Sequence, residues 1–326
     1  MSILAEIIAH KRTEIAALDA RSLRRAAESS PAPRDFRSAL KRRLSRSPSL
    51  IAELKRASPS KGVLAPHLDL FQVADVYAQN GASAISVLTD GKYFQGKLET
   101  LHELRFARAS ELPLLRKDFI IHETQLYESR ANGADAVLLI AAALTDDQHF
   151  AGLHALALEL GLTPLVEVHD EAETGRALTL KDICLIGINN RNLSTFEVSL
   201  ETTERVRPII PVDIKVVAES GIFTAADVTR LVQVNVDAIL VGEALVTSKE
   251  LALREMRFSG AMRYMLPWLY DEIEEVDELF GGDPMPYGLE PNRSVLETFA
   301  RYLAAQAFVD RQIAVDEFFV PIVAEK

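Results

Sequence analysis

Four charged residues occur at positions where their apolar neighbours should be turning inward. Glu53 and Lys55 flank Leu54, Lys117 follows Leu115 at the same two-residue spacing, and Glu167 lies between Val166 and Val168. Residues two apart on a strand share a face, so this alternation aims all four into one interior. Any one of them alone is as readily a solvated residue at a strand end. Together they are costly to bury unless they pair and serve chemistry. Two ammonium and two carboxylate groups in one dry pocket are proton donors and acceptors whose proton affinities can be driven apart. Two glycine-bearing turns add a different chemistry. Ser220-Gly221 and Gly242-Glu243 each follow an apolar run, and backbone N–H groups of such turns can hold an anion, phosphate above all. Ser58, in a loop with Ser60 and Gly62, could add further donors.

The elements that must position these residues repeat along the chain. Apolar, β-rich runs occur at 50–54, 84–88, 114–117, 136–140, 164–168, 184–188, 214–218 and 238–241, separated by longer helical stretches. Several are nearly continuous rather than alternating, which suits parallel strands covered on both faces. Gly81, Gly133 and Gly161 stand where a helix should close before the next strand. Eight such units in about 195 residues fit an α/β fold of the (β/α)8 TIM-barrel type. The rival, a doubly wound open sheet, would usually have fewer strands, and no Gly-x-Gly-x-x-Gly follows the first run. In a barrel, active sites form at the C-terminal strand ends, and phosphate often binds the loops after strands seven and eight. The chain thus divides into an N-terminal helical extension (1–48), a catalytic barrel (49–255) and a C-terminal helical tail (256–326).

Composition narrows the function. The 326 residues are 48% apolar and 25% charged, ample for a large core and normal for a globular protein. No stretch approaches ~18 apolar residues without a charge, so no membrane span is expected. Met1–Glu6 lacks a basic region followed by a long apolar run, so a secretory signal is not expected and the cytoplasm is the expected location. One cysteine, Cys184, excludes an intrachain disulfide, and it reads as a small core residue. The net charge of −11 argues against nucleic-acid partners. That charge is uneven: residues 1–48 carry 11 Lys/Arg against 5 Asp/Glu, and residues 256–326 carry 6 against 13. A basic arm could meet an anionic partner, but Ile3, Leu4, Ile7, Ile8 and Ile15 recur at helical spacing with Lys11, Arg12 and Glu14 between them, the pattern of a solvated amphipathic helix. His169 could be a base, although His-Asp just past a strand is as easily a turn. His102, His122 and His149 have no partner at metal-ligand spacing, so no metal is expected.

The strand ends carry Ile51-Ala52-Glu53-Leu54-Lys55-Arg56-Ala57-Ser58-Pro59-Ser60-Lys61-Gly62, Ser86-Val87-Leu88-Thr89-Asp90 with Tyr93-Phe94-Gln95-Gly96, Leu115-Arg116-Lys117-Asp118-Phe119-Ile120, Leu165-Val166-Glu167-Val168-His169, Gly187-Ile188-Asn189-Asn190-Arg191 and Ala218-Glu219-Ser220-Gly221-Ile222. Together these motifs resemble those of indole-3-glycerol-phosphate synthases. The resemblance covers about residues 2–255. It implies closure and decarboxylation of 1-(2-carboxyphenylamino)-1-deoxyribulose 5-phosphate to indole-3-glycerol phosphate, in tryptophan synthesis, with no cofactor. It also implies roles. Lys117 would protonate the substrate ketone, and Lys55 would meet the anthranilate carboxylate and help orient Lys117. Glu167 would act in the dehydration, with Glu53 a second acid or base. Asn189 and Arg191 would hold substrate hydroxyl and carboxylate groups, and Glu219 would position a lysine or a hydroxyl. Phe119 and Leu138 would wall the aromatic ring. Ser58, Ser220, Gly221, Gly242 and Glu243 would cradle the phosphate.

Two features depart from that pattern. Asn192 stands where many members of the family carry Asp, which should alter a loop contact rather than catalysis. The tail, with Pro267-Trp268-Leu269-Tyr270-Asp271-Glu272-Ile273-Glu274-Glu275 and Pro286-Tyr287-Gly288-Leu289-Glu290-Pro291-Asn292-Arg293, instead resembles the C-terminal end of 4,5-dihydroxyphthalate decarboxylase-like proteins. Only that end is present, so it implies a docking element or fusion remnant through which the chain could associate. Two other functions compete. A phosphoribosylanthranilate isomerase type of barrel would use a Cys/Asp pair at strand ends, whereas Cys184 opens its strand. An inactive interaction barrel would have no need of the Lys55, Lys117 and Glu167 set.

Overall fold

Eight parallel strands close into a barrel in the computed structural model. In chain order they are β1 (Ser49–Leu54), β2 (Ala84–Leu88), β3 (Leu114–Lys117), β4 (Ala136–Ile140), β5 (Thr163–Val168), β6 (Leu185–Asn189), β7 (Lys215–Glu219) and β8 (Ala238–Val241). Each pairs with its sequence neighbour, and β1 closes the ring against β8, with Ile51 opposite Leu240 and Ser49 opposite Ala238. All eight match the expected runs to within one or two residues. The structure describes residues 3–41, 47–55, 57–58, 62–63, 69–108, 111–192 and 195–245, with positions 293, 297, 298 and 301. The chain forms two compact units, Met1–Ser248 and Lys249–Lys326. The acidic tail and the association expected of it lie outside the described residues, apart from four helical positions.

Helices cover the barrel: α1 (Ile3–Ala16), α2 (Ala20–Ser29), α3 (Phe36–Ala39), α4 (Leu70–Gln79), α5 (Gly91–Phe94), α6 (Leu98–His102), α7 (Glu123–Ala131), α8 (Asp147–Glu159), α9 (Glu171–Ala177), α10 (Glu201–Val206) and α11 (Ala225–Gln233). Their starts follow from local chemistry, since Asp69, Asp90, Asp146, Asp170 and Thr224 each accept backbone N–H groups of the first turn. Their ends do too: Gly133 and Gly161 follow α7 and α8 at φ +83° and +74°, the left-handed backbone that a helix stop requires. Among the described residues, no helix is long and apolar enough to cross a membrane.

The interior is filled by alternate residues of every strand. Ile51, Ala84, Leu115, Ala136, Leu138, Leu165, Leu185, Val217, Ala238 and Leu240 form one buried cluster. Phe36 and Leu40 belong to it as well, so the segment around α3 stoppers the barrel floor. Lys215, at the start of β7, donates to the carbonyls of Arg37 and Leu40, fixing that stopper to the N-terminal strand ends. The opposite, C-terminal mouth is left for the polar residues.

The N-terminal extension differs from a solvated amphipathic helix in one respect. Lys11 of α1 is buried, with Nζ 2.9 Å from Asp90 Oδ2, 2.9 Å from Asp118 Oδ1 and 2.8 Å from Glu14 Oε2. Asp118 in turn pairs with Arg116, whose guanidinium also reaches Glu128 at 2.8 Å. Burial would raise the Asp118 carboxyl, but Arg116 and Lys11 overcome it and hold it down to about 2. That contribution to stability is complete above the ordinary aspartate range and fades as pH falls toward 2. Lys11→Met should therefore cost about 3 kcal/mol, because it leaves the buried Asp90 carboxylate with its two backbone N–H donors but without its cation, while Arg116 still serves Asp118. Urea denaturation followed by far-UV circular dichroism measures it, and a loss below ~0.5 kcal/mol would count Lys11 as surface charge.

Candidate active site

At the barrel mouth the inward faces of five strands end in polar side chains. Glu53 and Lys55 come from β1 and its exit, Lys117 from β3, Glu167 from β5, Asn189 from β6 and Glu219 from β7, and all line one pocket. The same alternation that puts Leu115, Leu165 and Val217 in the core puts Lys117, Glu167 and Glu219 one layer above them.

Lys117 is the hub of this layer. Its Nζ lies 3.2 Å from Glu167 Oε2 and 3.1 Å from Glu219 Oε2. Its side chain is 16% exposed against 2% and 1% for the two glutamates, so the ammonium is the member of the trio that reaches the pocket. Burial alone would weaken its hold on the proton, but Glu219, Glu167 and Glu53 outweigh that and keep it well above the lysine range. Glu167 also accepts from Asn189 Nδ2 at 3.2 Å and stands 3.3 Å from His169 Nε2. Burial would raise it, yet Lys117 and His169 hold it well below the usual carboxylate range. Glu219 has the opposite fate. Neither of its oxygens meets hydrogen-bond geometry among the described residues, and it shares its one cation with Glu167. Burial pushes it up to about 7, with the Lys117 charge opposing. One lysine and two carboxylates of unlike proton affinity are an acid–base set. Lys55 stands apart from the trio, its Nζ 3.4 Å from Glu53 Oε1.

Two glycines make room for these carboxylates. A Cβ on Gly187, in the middle of β6, would collide with Glu219 Oε1, and one on Gly242 would lie 2.6 Å from Glu53 Oε1 and 3.0 Å from Glu53 Cβ. Gly187 was not singled out in the sequence; a glycine inside a strand is the signal that marks such a close approach.

The remaining expected residues gather around the same pocket. Phe119 and Leu138 line it, and Phe94 stacks near Phe119 with ring centroids 6.1 Å apart. Arg191 lines it too, its N–H donating to Asn189 Oδ1 at 3.0 Å. Ser220, Gly221, Gly242 and Glu243 form the wall after β7 and β8. Ser220 and Gly221 turn the chain at φ +64° and +76°, and Asn190 Nδ2 holds the turn by donating to the Ser220 carbonyl at 3.1 Å. Ser58 belongs to a two-residue strand, Ala57–Ser58, paired antiparallel with Gly62–Val63, and its side chain lies outside the described residues. Asn192 works within its loop, Oδ1 accepting the Thr195 N–H at 3.1 Å. Cys184 precedes β6 at the barrel floor and packs against the core cluster. The pocket also takes Ile3, Leu4 and Ile7 of α1, so the N-terminal helix forms part of its wall. Among the described residues, no group of three His, Cys, Asp or Glu has the geometry to hold a metal.

The seat beneath Glu53 yields a test. If Gly242 served only anion approach, Gly242→Ala would raise KM alone. The contact with Glu53 means that kcat should fall as well, by about 10- to 100-fold, since a shift near 1 Å in a working group has that effect. Steady-state kinetics separates the two, and an unchanged kcat would remove Glu53 from the working set.

Comparisons with known proteins identify the family. The family model for indole-3-glycerol phosphate synthase matches residues 4–256. The indole-3-glycerol phosphate synthase of Roseiflexus sp. (strain RS-1) is 48% identical over 269 residues, covering 79% of this chain and 98% of the relative. That of Polaromonas naphthalenivorans (strain CJ2) is 51% identical over 262 residues, covering 78% and 98%. Among solved structures, the N-acetylmannosamine-6-phosphate 2-epimerase from Clostridium perfringens aligns over 70% of this chain and 98% of its own with a TM-score of 0.52. At 14% identity that likeness is one of fold. The family match stops at residue 256, and the tail's resemblance to dihydroxyphthalate decarboxylase-like proteins gains no support from these relatives. A match over more than three-quarters of the chain, with its motifs converging on one barrel mouth, places this protein in the indole-3-glycerol phosphate synthase family.

Proposed function

We infer that the chain closes, decarboxylates and dehydrates 1-(2-carboxyphenylamino)-1-deoxyribulose 5-phosphate to indole-3-glycerol phosphate, a carboxy-lyase step of tryptophan biosynthesis. The observation that carries the mechanism is the buried Lys117 ammonium between Glu167 and Glu219, presented to a pocket with aromatic walls.

The chemistry needs three things in order. The ring carbon bearing the carboxylate attacks the ketone, and the ketone oxygen must take a proton as the new carbon–carbon bond forms. Lys117 is the donor, charged at neutral pH and freest to move toward the pocket. The carboxylate then leaves as CO2, its bonding electrons returning to the ring. Lys55 and Arg191, both on the pocket wall, hold that carboxylate before it leaves. Last, the new hydroxyl departs as water while a base removes the adjacent carbon-bound proton. Glu167 is that base once Lys117 has given up its proton, and Glu53, beside Lys55, is the second acid–base group. Asn189 and Glu219 hold hydroxyls and keep Lys117 in place. Phe119 and Leu138 flank the aromatic ring. The phosphate sits on the turn Ser220-Gly221 and on Gly242-Glu243, with Ser58 as a further donor.

This reading assigns catalysis to residues 49–255, closed on one side by the 1–48 extension, and gives the 256–326 tail no part in it. The family match ending at residue 256 supports that division. The substrate is a small phosphorylated molecule and the expected setting the cytoplasm, with the single cysteine in keeping. Truncation after Glu255 should leave turnover within about threefold, an effect too small to count as lost transition-state binding. A folded but inactive truncated protein would bring the tail into the site.

Indole fluorescence on adding the carboxyphenylamino-deoxyribulose phosphate tests the activity directly. Lys117→Ala should lower turnover at least ~10²-fold while substrate binding survives, the range that a lost general acid produces. A variant within tenfold of wild type would mean that another group is the acid.

A further inference from the structure

Glu167 is gripped on both oxygens, and one of the grips has no place in the mechanism above. Oε2 faces Lys117, while Oε1 receives the Asn189 amide and forms an ion pair with His169 Nε2, 3.3 Å away and outside hydrogen-bond geometry. His169 is two residues beyond Glu167, so its ring returns to the face from which that carboxylate projects. The ring is itself clamped. Its Nδ1 lies 3.0 Å from Glu173 Oε2, and the same oxygen accepts the His169 backbone N–H at 2.8 Å. Glu173 is fixed in the first turn of α9, where its own N–H donates to the cap residue Asp170 at 2.8 Å.

A carboxylate against Nδ1 keeps that nitrogen protonated and sets the orientation of the ring. With a second carboxylate at Nε2, both ring nitrogens hold protons: burial opposes the charge, but Glu167 and Glu173 push the imidazolium up to about 10. The terminal torsion of a glutamate is soft and roughly two-fold. Without the imidazolium charge beside Oε1, the neutral Asn189 amide is left to hold that oxygen against the pull of Lys117, and the carboxylate could turn both oxygens onto the ammonium and hold it back from the ketone.

We propose that His169, clamped by Glu173, is a positioning residue that fixes the Glu167 carboxylate in the orientation with one oxygen toward Lys117 and the pocket. The proposal rests on the reading of Glu167 as the group that acts in dehydration. His169 lines a neighbouring cavity with Asp170 and Glu173 and is not among the residues lining the active pocket, so it acts through Glu167 rather than on substrate. The charged groups around the pair are Lys117, Glu53 and Glu219 from the barrel and Asp170 and Glu173 from the α9 side. Arg191, Glu197 and Arg205 lie across the neighbouring cavity.

The test uses the full-length chain and four variants, His169→Leu, His169→Gln, Glu173→Gln and Glu167→Gln, assayed across pH. His169→Leu should lower kcat by about 10- to 100-fold and leave KM within about threefold, because the lost group never touches substrate. Its kcat profile should gain an acidic limb at higher pH than wild type, since Glu167 loses a cation that keeps it ionised. His169→Gln, which restores an N–H near the Nε2 position, should recover most of the turnover, and Glu173→Gln should fall in between. A folded His169→Leu protein with wild-type kcat overturns the proposal. So does a loss that glutamine does not rescue or that leaves the pH profile unmoved, since either would mark a merely structural residue. If His169→Leu does not fold, Glu173→Gln decides by the same profile. Glu167→Gln separates the two readings: activity retained there would refute the role of Glu167 itself, whereas an inactive Glu167→Gln beside a normal His169→Leu would refute this proposal alone.

Discussion

One buried ammonium governs the mouth of this barrel. Lys117 sits between Glu167 and Glu219 in a layer where none of the three could remain charged alone. Everything nearby is arranged around that balance. Glu219 can lie against β6 because Gly187 has no side chain, and Glu53 can fold over the end of β8 because Gly242 has none. Glu167 stays ionised because Lys117, Asn189 and His169 surround it, while Glu219, with less support, does not hold its charge as firmly. A closed ring of strands makes this possible, since only a barrel brings the ends of five different strands onto one small volume.

The strand that carries Lys117 also carries the second charge cluster. β3 alternates, so Lys117 faces in while Arg116 faces out against α7, and Asp118 just beyond the strand reaches Lys11 of α1. The N-terminal helix is thereby fastened one residue away from the proton donor. Its Ile3, Leu4 and Ile7 form part of the pocket wall as a result. The helix that walls the site and the strand that supplies its acid are held by the same buried ion pairs.

How much of this was legible in the sequence follows from range. The eight strands were, because near-continuous apolar runs between helical stretches are a local pattern. The inward aim of Glu53, Lys55, Lys117 and Glu167 was too, because a period of two needs no tertiary information. Lys11 was not: its neighbours place it on a solvated face, and only the meeting of α1 with two strand ends buries it. The clamp of His169 by Glu173 was hidden for a related reason, because His-Asp after a strand reads equally as a turn until the carboxylate at the third helical position closes on the ring. Glycine told half its story. Ser220-Gly221 and Gly242-Glu243 announced turns, but the need for Gly187 and Gly242 beneath carboxylates depends on side chains 32 and 189 positions away.

Proton donation at this mouth requires that Lys117 be charged. Nuclear magnetic resonance of lysine side chains, with the Lys117 signal assigned through Lys117→Ala, would follow each ammonium through a titration from neutral to about pH 11, past the ordinary lysine value of ~10.4. The Lys117 ammonium should remain protonated after the exposed lysines have lost their protons, because Glu219, Glu167 and Glu53 hold it. Loss of its proton before theirs would mean that burial outweighs the carboxylates, and that the barrel mouth holds a neutral amine instead of a proton donor.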